Sequence, residues 1–246
     1  MTLNQWSLPT AQINAVDEFN QGGHLIYSDN YIGAYVRGKT REEALEKFPE
    51  EIARYCRWLG LCADGMEFTV SVIQEKQSDL QICDADSDAI FRSEQLPLQM
   101  DEYETLRTLA LKSAKDFEAQ YQSIPNKNIP LVTARKTFYG EIPTSAEEMY
   151  LHTKNVNNYY FSEIGVPADN EPDIYTCRLR GFQTLEQQPD FLKNSVFDGS
   201  YGEQWSLRKV CRRFIWHDRI HAKAMFRAAA KQFKDADLAN PFFFAK

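Results

Sequence analysis

The stretch that most constrains what this chain can fold into runs from Ser206 to Lys231, SLRKVCRRFIWHDRIHAKAMFRAAAK. Leu207, Val210, Cys211, Phe214, Met225 and Ala228 recur at helical spacing. At about 100° per residue they gather on one apolar stripe, so the segment predicts a long helix with one buried side. His217 and His221 fall on that stripe, and imidazoles at i and i+4 stand one turn apart, close enough to share one divalent cation. The pair alone is a common chance pattern, and a histidine on an apolar face is more often a hydrogen-bonded core residue. A metal site therefore needs a third ligand, and His152 supplies one. PTSAEEMYLHTKNVNNYYFSEIG predicts a helix capped at Thr144 with Glu147 as box partner, on which Met149, His152, Thr153, Val156 and Tyr160 share a face. Three of the four histidines are thus expected to face inward. Asp218, beside the first histidine of the pair, either orients a ligand or pairs with an arginine. Cys211 is either a small core residue or approaches the site. No residue stands out as catalytic.

Composition sets the frame. With 246 residues and 43% hydrophobic content, the chain has ample material for a core. The start, MTLNQWSLPT, lacks a basic region followed by an apolar run, and no long uninterrupted apolar stretch follows, so a cytoplasmic protein without membrane association is expected. Five cysteines without C-x-x-C spacing speak against a disulfide framework or a cysteine-based zinc site. The net charge is −7, and residues 1–95 hold 8 of the 28 basic residues against 16 of the 35 acidic ones. An acidic first part repels phosphates and argues against nucleic acid as a partner; Arg208, Arg212, Arg219 and Lys223 on the last helix read as a solvated face.

The segment WSLRKVCRRFIWHDRIHAKAMFR, with the upstream helix opening PTSAEEMYLH, resembles the DinB-like metal-binding superfamily of four-helix bundles over about residues 96–233. In that family one histidine of the second helix and an H-x-x-x-H pair of the last hold a metal. The resemblance therefore implies His152, His217 and His221 as ligands of a zinc- or nickel-class ion, with water completing the site. Characterised relatives include thiol S-transferases and isomerases that use a low-molecular-weight thiol. Further upstream, GAYVRGKTREEALEKFPEEIARYCRWLG resembles the HicB-like module, a small partial ferredoxin-like α/β fold whose members often act as antitoxins. No DNA-binding helix pair follows it here. Three functions stay open: a metal-dependent transferase or hydrolase, a metal-binding protein without catalysis, and a HicB-like regulatory or toxin-binding module.

In chain order, residues 1–21 are expected to form an arm, 22–95 the α/β domain and 96–246 the bundle, an α+β chain overall. HLIYSDNYIGAYVRG reads as two short strands, Thr40 to Gly60 as one helix capped at Thr40 with Glu43, and MEFTVSVIQEK as a further strand. The acidic stretch Ser78 to Leu98 reads as an edge strand and a linker. Its Asp84, Asp86 and Asp88 imitate a calcium loop but lack the glycine and the final Glu, where Gln95 stands. A helix runs from Met100 to just before Pro125, and a short one from Tyr175 to Gln188. NPFFFAK is expected to pack on the bundle or on a second subunit, because three exposed phenylalanines favour association.

Overall fold

A computed structural model describes residues 9–137 and 140–245. The chain is α+β. Its sheet holds four strands, β1 (Gln12–Asn20), β2 (Gly23–Ser28), β3 (Tyr35–Gly38) and β4 (Thr69–Gln77), in the order β3-β2-β1-β4. β1 pairs antiparallel with β2 and parallel with β4. A parallel neighbour needs a crossover, and α1 (Arg41–Leu45) with α2 (Phe48–Trp58) makes it.

The central strand β1 falls in the stretch expected to be an arm, which corrects that expectation for residues 12–20; the arm's first eight residues lie outside the described ones. QINAVDEFN hides its strand character because Asp17 and Glu18 interrupt the apolar alternation. Both are nonetheless buried, at 1% and 0% exposure. Burial of a carboxylate needs partners. Asp17 meets His24 Nδ1 at 3.0 Å, while Glu18 accepts from the Ser87 hydroxyl and from Asp88 N.

Thr40 caps α1 and accepts from Glu43 N. Glu43 accepts from Lys39 N rather than from Thr40 N, so the box closes one residue early. The expected single helix restarts at Phe48, because Pro49 has no N–H to continue the first one and is tolerated in a first turn.

Residues 78–98 form no strand and no free linker. Two 3₁₀ turns, Ile82–Asp84 and Ser93–Gln95, hold the segment while Ile82, Ala85, Ala89 and Phe91 pack with Val16, Leu25, Tyr27 and Trp216. The acidic composition misled here because the apolar residues are spaced irregularly.

The helices are α3 (Met100–Gln122), α4 (Ala146–Lys154), α5 (Val156–Ser162), α6 (Ile174–Leu185) and α7 (Leu207–Gln232). α7 packs against α3, α4 and α5. One hydrophobic core runs from Ile13 and Ile26 of the sheet through Ile52 to Phe117, Phe214 and Ala229 of the helices. At the β2–β3 turn, Gly33 (φ +86°) lets the sheet approach α7, since a Cβ there would come within 2.4 Å of Ile215 Cγ2.

The basic side of α7 is not a solvated face. Arg212 and Arg219 are 1% and 0% exposed. Arg212 pairs with Glu94, and Arg219 Nη2 lies 2.7 Å from Glu51 Oε1. The long apolar stems and guanidinium planes pack among aromatic rings, with Arg219 over Tyr55, Trp58, Phe242 and Phe244. Phe242 and Phe244 are thereby buried in the chain's own core. No described helix is long and apolar enough to cross a membrane.

Candidate metal centre

Local chemistry sets where His152 stands. Ser145, one residue beyond the expected cap, accepts from Glu148 N at 3.1 Å, and Glu148 Oε2 accepts in return from Ser145 N and Thr144 N. The carboxylate at the third helical position closes the box. A bridge between Pro130 and Ser145 fixes the entry of the chain. α4 is then oriented by Tyr150, whose ring stacks on Tyr121 at 4.2 Å between centroids. α4 ends after Lys154, and α5 starts afresh at Val156, so the expected continuous helix is broken at Asn155. His152 therefore occupies the last turn of α4. Its ring faces His217 and His221 as expected, while the residue as a whole stays exposed.

α7 is held in rotation by links to its neighbours. Ser206 caps it by accepting from Lys209 N. Gln120 Nε2 of α3 donates to Ala222 O at 2.7 Å. Arg178 of α6 grips Asp218, so the aspartate pairs with an arginine and does not orient a ligand. With these fixed, His217 and His221 can only face α4.

The three expected ligands come together. One nitrogen of each of His152, His217 and His221 lies within 4.8 Å of the other two, and among the described residues no fourth His, Cys, Asp or Glu joins them. The Nε2 atoms of His217 and His221 are 3.2 Å apart. Two nitrogens each about 2.0–2.1 Å from a tetrahedral zinc stand roughly 3.3–3.4 Å apart, so this pair needs almost no movement to serve as two ligands. His152 closes the group with ring centroids 5.1 Å from His217 and 4.7 Å from His221.

Electrostatics favour the neutral, ligating form. Burial, then the neighbouring imidazoles, holds His217 well below its ordinary value. Burial pushes His221 down to about 3, with His152 opposing protonation as well. Burial lowers His152 in the same direction. His217 Nδ1 is buried and meets no acceptor among the described residues, so its tautomer is set by what Nε2 faces.

His24 stands apart on β2, stacked on Phe19 and held by Asp17. Cys211 is buried in the core, and burial pushes its thiol up to about 12. Asp84 pairs with Arg135 and Asp88 with Lys76, while Asp86 forms no ion pair among the described residues. Two further residues adjoin His217 in space or in sequence. Tyr160 packs edge-on to His217 at 6.1 Å, and Arg213, one turn before His217, lies against Tyr160, Trp205 and Trp216. The i−4 spacing of Arg213 from His217 was the one signal in the sequence that could have marked it.

Comparison of the chain with family models, with characterised proteins and with solved structures gives no match.

Proposed function

We propose that His152, His217 and His221 jointly hold one divalent cation of the zinc or nickel class at a site open to an exchangeable ligand. The observation that carries this reading is the convergence of three imidazole nitrogens, from two helices, within 4.8 Å. All three are kept neutral by their surroundings, as metal ligation requires. Three protein ligands with an exposed third histidine favour an open, ligand-exchanging site over a closed structural one. Such a cation supplies Lewis acidity toward a water or a thiol. The protein's own part is to present three neutral nitrogens on rigid helices, and to keep the inner side of the site dry with Tyr160 and Trp216.

This reading agrees with the resemblance of the helical region to the DinB-like four-helix bundles, and it makes a metal-dependent transferase or hydrolase acting on a small molecule, with a low-molecular-weight thiol as one candidate co-substrate, the leading assignment. We assign residues 12–95, with β1 as the central strand, to a partial ferredoxin-like, HicB-like module that packs on the bundle. A nucleic-acid role is disfavoured, because Arg212 and Arg219 are buried and ion-paired and cannot meet phosphates. A cytoplasmic setting fits free cysteines throughout.

The test is calorimetry with zinc and with nickel on untagged protein purified without chelator. One equivalent should bind the wild type and His24→Ala, and none should bind His217→Ala or His221→Ala. Absence of binding by the wild type returns the three histidines to the core.

A further inference from the structure

Three consecutive peptide carbonyls in the segment between sheet and helices accept from three cations of α7. Ser87 O accepts from Arg213 Nη1 at 3.0 Å, Asp88 O from Lys209 Nζ at 3.0 Å and Ala89 O from Arg212 Nη2 at 2.8 Å. From the sheet, one carboxyl group of β1 holds the same stretch: Glu18 accepts from the Ser87 hydroxyl and, at 3.2 Å, from Asp88 N. Residues 87–89 are thus a strap clasped by β1 and by α7. Its neighbours Ala85 and Phe91, and Ala89 itself, pack with Val16, Tyr27 and Trp216, so the strap forms part of the wall of that apolar cluster.

Two carboxyl groups meet at its centre. The side chains of Glu18 and Asp88 are in hydrogen-bond contact, which needs a proton between them, because an ionised carboxylate can only accept. Lys76 of β4, the register partner of Glu18, pairs with Asp88, and β2 brings the Tyr27 phenol to the same place. From α7 come Lys209, taken by Glu203 at 2.9 Å, and Arg212, taken by Glu94. Arg213, the third, donates to Ser87 O and is attracted by Glu18 and Glu203. Burial pushes the Glu18 carboxyl up to about 7, against the Ser87 hydroxyl and with the help of Asp88. Burial works against a lowering of Asp88, yet Lys76 and the Glu18 carboxyl hold it below its ordinary value. The shared proton therefore sits on Glu18.

Loss of that proton leaves two adjoining carboxylates that repel. Glu18 has no way out, since it is fully buried on an interior strand of the sheet. Asp88 has one: its side chain is 35% exposed, with the Lys76 ammonium beside it. A shift of Asp88 toward solvent carries its backbone N away from Glu18 and slackens the strap. We infer that Ser87–Ala89 is a pH-sensitive strap, closed on β1 while Glu18 and Asp88 share a proton and released from β1 at Asp88 once the proton has gone to solvent. α7 keeps its ion pairs to Glu94 and Glu203, so the release is local. None of these residues is one of the three histidines, and the release does not depend on a bound cation. Because the closed strap holds a proton that the open chain gives up, closure is fully favoured below about 4.5 and is lost as pH rises through about 7.

Hydrogen exchange of the full chain, read at single amides between pH 6 and pH 8 and corrected for the intrinsic rate at each pH, tests this. Protection of the Asp88 amide should fall about tenfold over that range in the wild type, as loss of one proton near pH 7 entails. The Leu98 amide, which donates to Leu192 O outside the strap, should keep its protection. Glu18→Gln carries a permanently neutral group of the same shape, so its Asp88 amide should be equally protected at both ends of the range. Asp88→Asn removes the repelling charge and should move the midpoint at the same amide to lower pH. Should Glu18→Gln fail to fold, wild type and Asp88→Asn decide by themselves. Wild-type protection at Asp88 that does not change with pH overturns the inference, as does an equal fall in Glu18→Gln. A parallel fall at Leu98 overturns it too, since the whole chain and not the strap would then be opening. A midpoint unmoved in Asp88→Asn shows that no proton is shared and overturns the pairing on which the strap depends.

Discussion

The carboxylate of Asp218 accepts from both terminal nitrogens of Arg178, at 2.6 and 3.0 Å, with neither side chain exposed to solvent. This turns the residue next to His217 toward α6, away from the histidines. Arg178 also donates to Ala110 O of α3 and lies 4.2 Å over the Phe214 ring. Three helices are thereby locked in mutual rotation, and α7 is left with His217 and His221 pointing at α4.

Removing one partner strands the other charge in the core. Asp218→Ala should lose about 3–5 kcal/mol of stability in urea unfolding, whereas replacing Arg178 and Asp218 together by Met and Leu should recover most of it. A loss below about 1 kcal/mol for Asp218→Ala would show that the pair does not organise these helices.

The three histidines were legible because helical periodicity and an i, i+4 spacing are local properties, and the packing of α4 on α7 then brought the third histidine across. What the sequence concealed was long-range. β1 is central, yet its Asp17 and Glu18 read as exposed, because their partners His24, Ser87 and Asp88 cannot be matched to them by periodicity. Arg212 and Arg219 read as a solvated face for the same reason: Glu94 and Glu51, which neutralise them, lie more than a hundred residues away.

Metal-free protein should lose stability as pH falls below about 6.5, the ordinary histidine value. His217 and His221 refuse protons in the folded chain but take them up when unfolded. The loss should approach about 1.4 kcal/mol per pH unit for each of the two, continuing down to their lowered folded values. Urea titrations with chelator at pH 5, 6 and 7 check this, and His217→Gln combined with His221→Gln should flatten the trend. Zinc at a hundred times its dissociation constant should add about 2.7 kcal/mol at pH 7.

Glu18 should act in the opposite direction. Burial pushes its carboxyl up to about 7, against the hydrogen bond from Ser87. The folded protein therefore holds a proton that the unfolded chain has released, and stability from this group is lost as pH rises from 4.5 toward about 7. Glu18→Gln should be more stable than wild type at pH 8 and should lose that advantage by pH 5. Equal differences at the two pH values would show that Glu18 is ionised throughout.

Trypsin should leave the junction between sheet and helices intact. Arg92 exposes its side chain, but its backbone N donates to Gln74 Oε1. The residues that follow are tied down as well: Asn194 Nδ2 donates to Glu94 O and Leu96 O at 2.7 Å, Leu98 N donates to Leu192 O, and Glu94 is clamped by Arg212. Cleavage needs a segment that can be drawn into an extended conformation, which depends on backbone hydrogen bonding and burial more than on position in the chain. Between α3 and α4, Arg135 and Lys136 are exposed, restrained by a two-residue pairing of Lys136 and Thr137 against Gly140 and Glu141, by Ile142 N donating to Arg135 O and by the surface pair of Arg135 with Asp84. The first cut should therefore fall at Arg135 or Lys136, giving fragments identified by intact mass. Arg208→Ala, which removes a contact to Pro97 O and Glu102, should admit slow cleavage at Arg92. Rapid wild-type cleavage at Arg92 would mean that the 93–98 segment opens as a linker after all.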